Sequence, residues 1–156
     1  MNMCIMLAIN PPHIGQILDG IKRVEWRKAP LPVGRRTFLY ETKKCGGCGM
    51  VVGEVVLAYV RSYWIFTEKS PLYDVDIHFG CVSKKELKKY AGKDPILYAH
   101  DIYRIVEYPK PIPVSDFGLK RPPLSWCYCI DPFERPDLPD WDLHPSFLPG
   151  ARAKCP

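Results

Sequence analysis

The stretch Gly20-Ile-Lys-Arg-Val-Glu-Trp-Arg-Lys28 decides how the rest of the chain is read. Before it, Asn10-Pro11-Pro12 has the marks of a helix start. Asn10 suits the cap, and Pro11 suits the first helical position, where its missing N–H costs nothing. Ile14, Ile17 and Leu18 recur on one helical face. Gly20 can take the left-handed position that ends a helix, with Ile21 packing back, which predicts a helix over about 11–19. Lys22 then leaves a fixed corner. Val24 and Trp26 alternate with Glu25 and Arg27, so a strand follows with one apolar and one charged face.

Working outward, Met3–Ile9 is a short apolar run that reads as a buried strand. Pro30-Leu-Pro-Val-Gly34 is a turn, Arg36–Glu41 a strand, and Lys43-Lys-Cys-Gly-Gly-Cys-Gly49 a second turn. Met50–Val60 is the strongest strand signal, and Gly53 within it marks a bulge or bend. Residues 63–82 show no clear period and are read as a loop with short elements. Ser83-Lys-Lys-Glu86 is a capping box, which predicts a helix over about 84–91 that stops at Gly92. Ile96–Tyr108 reads as a strand broken by Pro109-Lys-Pro-Ile-Pro113, and Pro122–Ile130 as a last strand entered through prolines. Many short strands and few helices predict an α+β domain built on a small, mainly antiparallel β-barrel with two or three short helices. Residues 1–130 form the expected domain. Residues 131–156, with six prolines, form an irregular tail in which Trp141, Leu143, Phe147 and Leu148 are the packing candidates.

Composition narrows the function. The 156 residues fit one domain able to bury a core without disulfides or metals. No apolar window reaches the length of a membrane span, and the first residues lack the basic start of a signal peptide, so a cytoplasmic protein is expected with no membrane partner. Residues 1–130 carry 19 basic and 12 acidic side chains, whereas 131–156 carry 3 and 5. A basic body suits an anionic partner such as RNA or a nucleotide, although solubility alone also accounts for it.

Three constellations can carry chemistry. Lys22, Glu25 and Arg27 share one place: Glu25 and Arg27 leave the same strand face, and the glycine corner delivers Lys22 to its start. A lysine beside a carboxylate can move a proton or activate water, and an arginine can grip a phosphate or carbonyl oxygen. The plain alternative is a solvated ion-pair ladder. Cys45-Gly-Gly-Cys48 and Cys127-Tyr-Cys129 together offer four thiolates for zinc, but alternate residues on a strand hold their sulfurs about 7 Å apart. The expectation is that Cys45 and Cys48 shape a turn and hold no metal; no cofactor is expected. Tyr40, Tyr63, Trp64, Phe66, Trp126 and Tyr128 can stack nucleobases or fill a core. Of these, Tyr40, Trp126 and Tyr128 are the rings favoured for stacking. Glu54 interrupts a run of valines and is a candidate cleft carboxylate or an edge residue facing water. His78, His100 and His144 stand at no metal or triad spacing and are read as structural.

The order of these pieces over residues 3–130 resembles the ASCH domain, a small barrel of the PUA-like superfamily. The resemblance rests on Gly20, Lys22, Glu25 and Arg27, on Val33-Gly34, and on Val51-Val-Gly-Glu-Val-Val56. It rests also on Pro111-Ile-Pro-Val-Ser-Asp-Phe-Gly118 and Arg121-Pro-Pro-Leu-Ser-Trp126, which resemble the close of a bacterial or phage member. It implies RNA or modified nucleosides as ligands and Lys22 and Glu25 as catalytic candidates if bonds are broken; together with the residue readings above, the ligand-binding candidates are Arg27, Tyr40, Glu54, Ser125 and Trp126. One branch of the family removes the acetyl group of acetylated cytidine with a threonine three residues after the lysine. This chain has Glu25 there, which can serve as a general base but not as a hydroxyl nucleophile. The leading expectation is a nucleic-acid-binding module. The alternatives are a small hydrolase of modified nucleosides or RNA, and a protein-interaction module acting through the proline-rich tail.

Overall fold

The computed structural model describes residues 3–133 and a short strand at 152–154. The chain order is β1 (Cys4–Ile9), α1 (Pro11–Leu18), β2 (Val24–Arg27), β3 (Arg36–Glu41), β4 (Val51–Trp64), α2 (Pro71–Phe79), α3 (Lys84–Ala91), β5 (Ile96–Ile112), β6 (Trp126–Cys129) and β7 (Arg152–Lys154). Single 3-10 turns lie at Lys44–Gly46 and Val114–Phe117. The strands form one sheet in the order β2-β5-β4-β3-β1-β6, with β7 paired to β5. Every pairing is antiparallel except β1 with β3. The α+β, mainly antiparallel expectation holds, but the sheet does not close, so it is barrel-like rather than a barrel. Among the described residues no helix is long and apolar enough to cross a membrane.

The sheet is covered on both sides. Odd residues of β1 (Ile5, Leu7, Ile9) join Ile14, Ile17 and Leu18 of α1 in one core, and even residues (Cys4, Met6, Ala8) join Phe38 and Phe117 in another. That is why β1 reads as an unbroken apolar run rather than an alternating one. A third cluster packs Trp26 of β2 and Tyr63 of β4 against Tyr73 of α2 and Leu87 of α3. Gly53 is required by close approach: a Cβ there would meet the Val106 carbonyl oxygen at 2.4 Å.

Several local expectations change. Residues 63–82 hold more regular structure than a loop with short elements suggests, with irregular backbone at 65–70 and 80–82. Strand β4 runs on to Trp64 and α2 follows, started by Ser70, whose hydroxyl accepts from the Tyr73 N–H, and by Pro71. The aperiodic pattern arises because the buried face of α2 is polar, Tyr73 and Asp76. Strand β5 passes through Pro109 and Pro111 rather than stopping. The ladder with β4 steps from Glu107 to Ile112 while β4 steps only from Gly53 to Val51, so the prolines fall in a register irregularity where no N–H is needed. Asn10 does not cap α1 with its side chain; its Oδ1 accepts from the Thr42 hydroxyl at 2.7 Å. Gly20 does take a positive φ (+73°), but Ile21 stays exposed and packs on nothing that buries it. Past the expected boundary at 130, Asp131 pairs with Arg36, and the Phe133 ring lies 5.5 Å from that of Tyr108. Trp141, Leu143, Phe147 and Leu148 lie outside the described residues.

Candidate functional site

The site forms at the seam where the two ends of the curled sheet meet. Strand β2 begins the order and β1 and β6 end it, yet Arg27 on β2 donates from Nη2 to the Ala8 carbonyl of β1 at 2.9 Å. Its Nη1 donates to the Ser125 hydroxyl at 3.2 Å, just before β6. An arginine side chain therefore spans the gap that backbone pairing leaves open, and a cleft of about 510 Å³ lies along it. Lys22 and Glu25, both buried, and Arg27 form its floor, and Tyr40, Thr42 and, from α3, Glu86, Leu87 and Tyr90 also line it. Pro123 and Leu124 reach the rim.

Each floor residue is fixed by its own chain segment. The α1 corner closes with the Ile21 N–H and the Gly20 N–H bonded to the carbonyls of Gln16 and Ile17, each at 2.9 Å, so Lys22 leaves it in one direction. Lys22 is only 2% exposed. Its Nζ donates to the Gly80 carbonyl at 2.5 Å and lies 3.5 Å from Glu25. The C-terminal end of α2 is the negative end of its dipole, a natural seat for an ammonium. Gly80 must be glycine for this contact, since a Cβ would meet Trp26 Nε1 at 2.5 Å. Glu25, 7% exposed, accepts from Arg27 Nε at 2.9 Å. The solvated-ladder alternative is therefore excluded: Lys22 and Glu25 are buried and Arg27 is half-buried at an open cleft.

Burial pushes the Glu25 carboxyl upward, but the charges of Arg27, Lys22 and His13 and the Arg27 hydrogen bond outweigh it and hold the group below the usual carboxylate range. Glu25 is thus an anion at neutral pH that clamps two cations. By count, Lys22 keeps one of its three N–H bonds for a ligand and Arg27 keeps one on Nη1, among the described contacts. The arrangement can seat a phosphate or carbonyl oxygen and leaves Glu25 poorly suited to abstract a proton.

The other candidates divide. Tyr40 lines the cleft, and Ser125 touches it through Arg27. Trp126 packs against the α1 core and edge-on to Tyr128, with ring centres 5.4 Å apart, and is not part of the lining. Glu54 lies away from the cleft, 3.5 Å from Arg36 and accepting from the Tyr108 hydroxyl at 2.6 Å. Tyr63 is buried against Asp76, and Trp64 and Phe66 are exposed elsewhere. Cys45 and Cys48 sit in and beside the 3-10 turn, with the Cys48 N–H donating to Glu41, while Cys127 and Cys129 lie on β6. Among the described residues no three His, Cys, Asp or Glu side chains gather as a metal-holding group.

His13, which stands at no spacing that singles it out, lines the cleft. His100 is buried beneath it: its Nε2 accepts from the Leu31 N–H at 2.9 Å, so its Nδ1 carries the proton and donates to the Glu25 carbonyl at 3.1 Å. Burial holds His100 below its ordinary value of 6.5. The unfolded chain therefore binds this proton first, so His100 contributes stability that is present above pH 6.5 and is lost as pH falls below it. Melting temperature is expected to drop between pH 7.5 and 5.5, and less steeply in His100→Gln. Equal slopes would remove His100 as the cause.

The fold is that of known proteins. ASCH from Zymomonas mobilis superposes with a TM-score of 0.65 at 20% identity, covering 80% of this chain and 85% of that one. Two single-substitution mutants of the Zymomonas mobilis protein give 0.64 and 0.65 at 19% identity, covering 86% and 88% of their chains. No protein-family model matches the sequence, and no curated protein matches it. The chain has the fold of an ASCH domain, as its motif order leads one to expect.

Proposed function

We propose that the cleft binds a nucleotide of single-stranded RNA, its backbone held by Lys22, Arg27 and the lysines of α3. The observation that carries this reading is the buried Lys22–Glu25–Arg27 cluster, which leaves cationic N–H groups facing an open cleft of small-ligand size. The wall helix supports it. Lys84, Lys85, Lys88 and Lys89 on α3 and Lys93 just beyond are all exposed, against Glu86 and Asp94, with Lys84 paired to Asp74; the helix itself meets the cleft through Glu86, Leu87 and Tyr90. A run of lysines on the outer surface of a helix whose inner residues line the cleft suits phosphates leading away from the bound nucleotide. Tyr90, exposed in the cleft lining, offers a ring for a base, whereas Tyr40 lines the cleft as a largely buried core residue.

Binding of a twelve-nucleotide single-stranded RNA, followed by fluorescence anisotropy over a salt series, tests this. Lys88→Ala with Lys89→Ala is expected to weaken binding and to flatten the log–log salt slope by about 0.7 per lost phosphate contact. Lys22→Ala is expected to cost about tenfold or more. A slope unchanged in the α3 variant and an affinity unchanged in Lys22→Ala would defeat the proposal. Cleavage of the RNA or release of an acyl group during the titration would instead mark the hydrolytic alternative.

A further inference from the structure

Two histidines stand near the floor, and the fold treats them differently. His100 has both ring nitrogens bonded and is held in one orientation. His13, the third residue of α1, has its Nδ1 buried with no hydrogen-bond partner among the described residues. An unpaired buried polar atom destabilises a fold by an amount comparable to a lost hydrogen bond, and native proteins rarely keep one without a use. The imidazole nonetheless lies in the cleft lining beside Lys22, Glu25 and Glu86. No described hydrogen bond holds the ring, so a half-turn about Cβ–Cγ, which exchanges Nδ1 with Cδ2 and Nε2 with Cε1, breaks none of the described bonds and changes which ring edge the cleft meets.

The surroundings define what such a ring can recognise. Burial first, and then the neighbouring Lys22 charge, keep His13 below the ordinary histidine value, with Glu25 and Glu86 opposing. A neutral imidazole is a poor phosphate ligand but offers one donor and one acceptor. In the nucleotide reading phosphate falls to the cationic Lys22 and Arg27 of the lining, and a neutral polar edge is left to His13.

We propose that His13 is the specificity-determining residue of the cleft, turning its imidazole to hydrogen-bond the polar edge of the bound base. This rests on the nucleotide reading above and adds to it which side chain distinguishes one base from another.

The test uses the four ribonucleoside 5′-monophosphates as probes, measured by calorimetry on the whole chain, with melting curves of each variant. His13→Phe has similar size and helix propensity but no hydrogen bond. It is expected to melt about 2 °C or more higher, because an unpaired buried nitrogen has gone. It is also expected to bind the preferred nucleotide about tenfold more weakly and to level the differences among the four. His13→Asn and His13→Gln place a polar atom near the positions of Nδ1 and Nε2, and one of them is expected to recover part of the preference. A lower melting point in His13→Phe would show that the ring serves the fold and would overturn the inference. So would an unchanged order of affinities in a folded His13→Phe, which leaves the nucleotide site itself standing. If the natural chain binds none of the four, the nucleotide reading fails and this inference fails with it.

Discussion

Replacing Glu25 by glutamine is expected to lower stability by roughly 3–5 kcal/mol, or about 10 °C in melting temperature. Glutamine preserves size and a carbonyl oxygen, so the loss is one of charge. Lys22 and Arg27 are almost fully covered and share this single carboxylate, at 3.5 and 2.9 Å. Without it two buried cations face each other with only carbonyls and a serine hydroxyl as partners. Lys22→Met combined with Glu25→Gln is expected to regain part of the loss, a coupling that a double-mutant cycle in urea would read. Ligand affinity moves the other way: an anionic ligand gains when the internal anion is removed, so RNA should bind Glu25→Gln as well as or better than the natural chain wherever it remains folded. A fall in turnover of about a hundredfold with binding intact would instead make Glu25 a catalytic base. Full stability in Glu25→Gln would mean that the cations are better hydrated than their burial indicates.

Asp76→Ala is expected to cost a similar roughly 3–5 kcal/mol and to damage the site from a distance. Asp76 is 3% exposed on α2. It accepts from Arg61 Nε at 2.7 Å, from Arg61 Nη2 at 2.9 Å and from the Tyr63 hydroxyl at 2.6 Å. Alanine leaves the Tyr63 hydroxyl buried without this acceptor and leaves Arg61 to Asp101 alone, which loosens α2 from β4. Because Gly80 at the end of α2 holds the Lys22 ammonium, RNA affinity is expected to fall with stability. Tyr63→Phe, which removes one neutral partner, should cost only about 1 kcal/mol. If Asp76→Ala were destabilised but bound RNA with full affinity, the seating of Lys22 would not depend on α2.

Much of this arrangement is legible in the sequence because its signals are local. Pro11 and Gly20 bound α1, the Ser83–Glu86 box starts α3, and the unbroken runs of β1 and β4 announce buried strands. The triad itself is legible as three residues at one corner. Its burial is not, because Val24–Arg27 alternates as a half-exposed strand would; what covers it arrives from α2, more than fifty residues away, and from α3. Helix α2 is hidden in turn because it docks by a carboxylate and a tyrosine, so its buried face has no apolar period, although Ser70-Pro71 and Gly80 do mark its ends. The same blindness to long-range pairing makes Glu54 look like a cleft carboxylate when Arg36 and Tyr108 hold it elsewhere, and leaves His13 unremarked until the seam brings it to the floor.

The central claim is that the cleft at the seam of the sheet, rather than basic surface in general, receives RNA. Short-wavelength cross-linking of the natural chain to single-stranded RNA, with the attached peptide mapped by mass spectrometry, tests it most directly. The expected result is a nucleotide attached at Tyr40, Tyr90 or the 20–28 segment, lost when an excess of unlabelled RNA competes and reduced in Lys22→Ala. Attachment confined to residues outside the cleft, such as the exposed rings of Trp64, Phe66 or Tyr59, with the Lys22→Ala pattern unchanged, would contradict it.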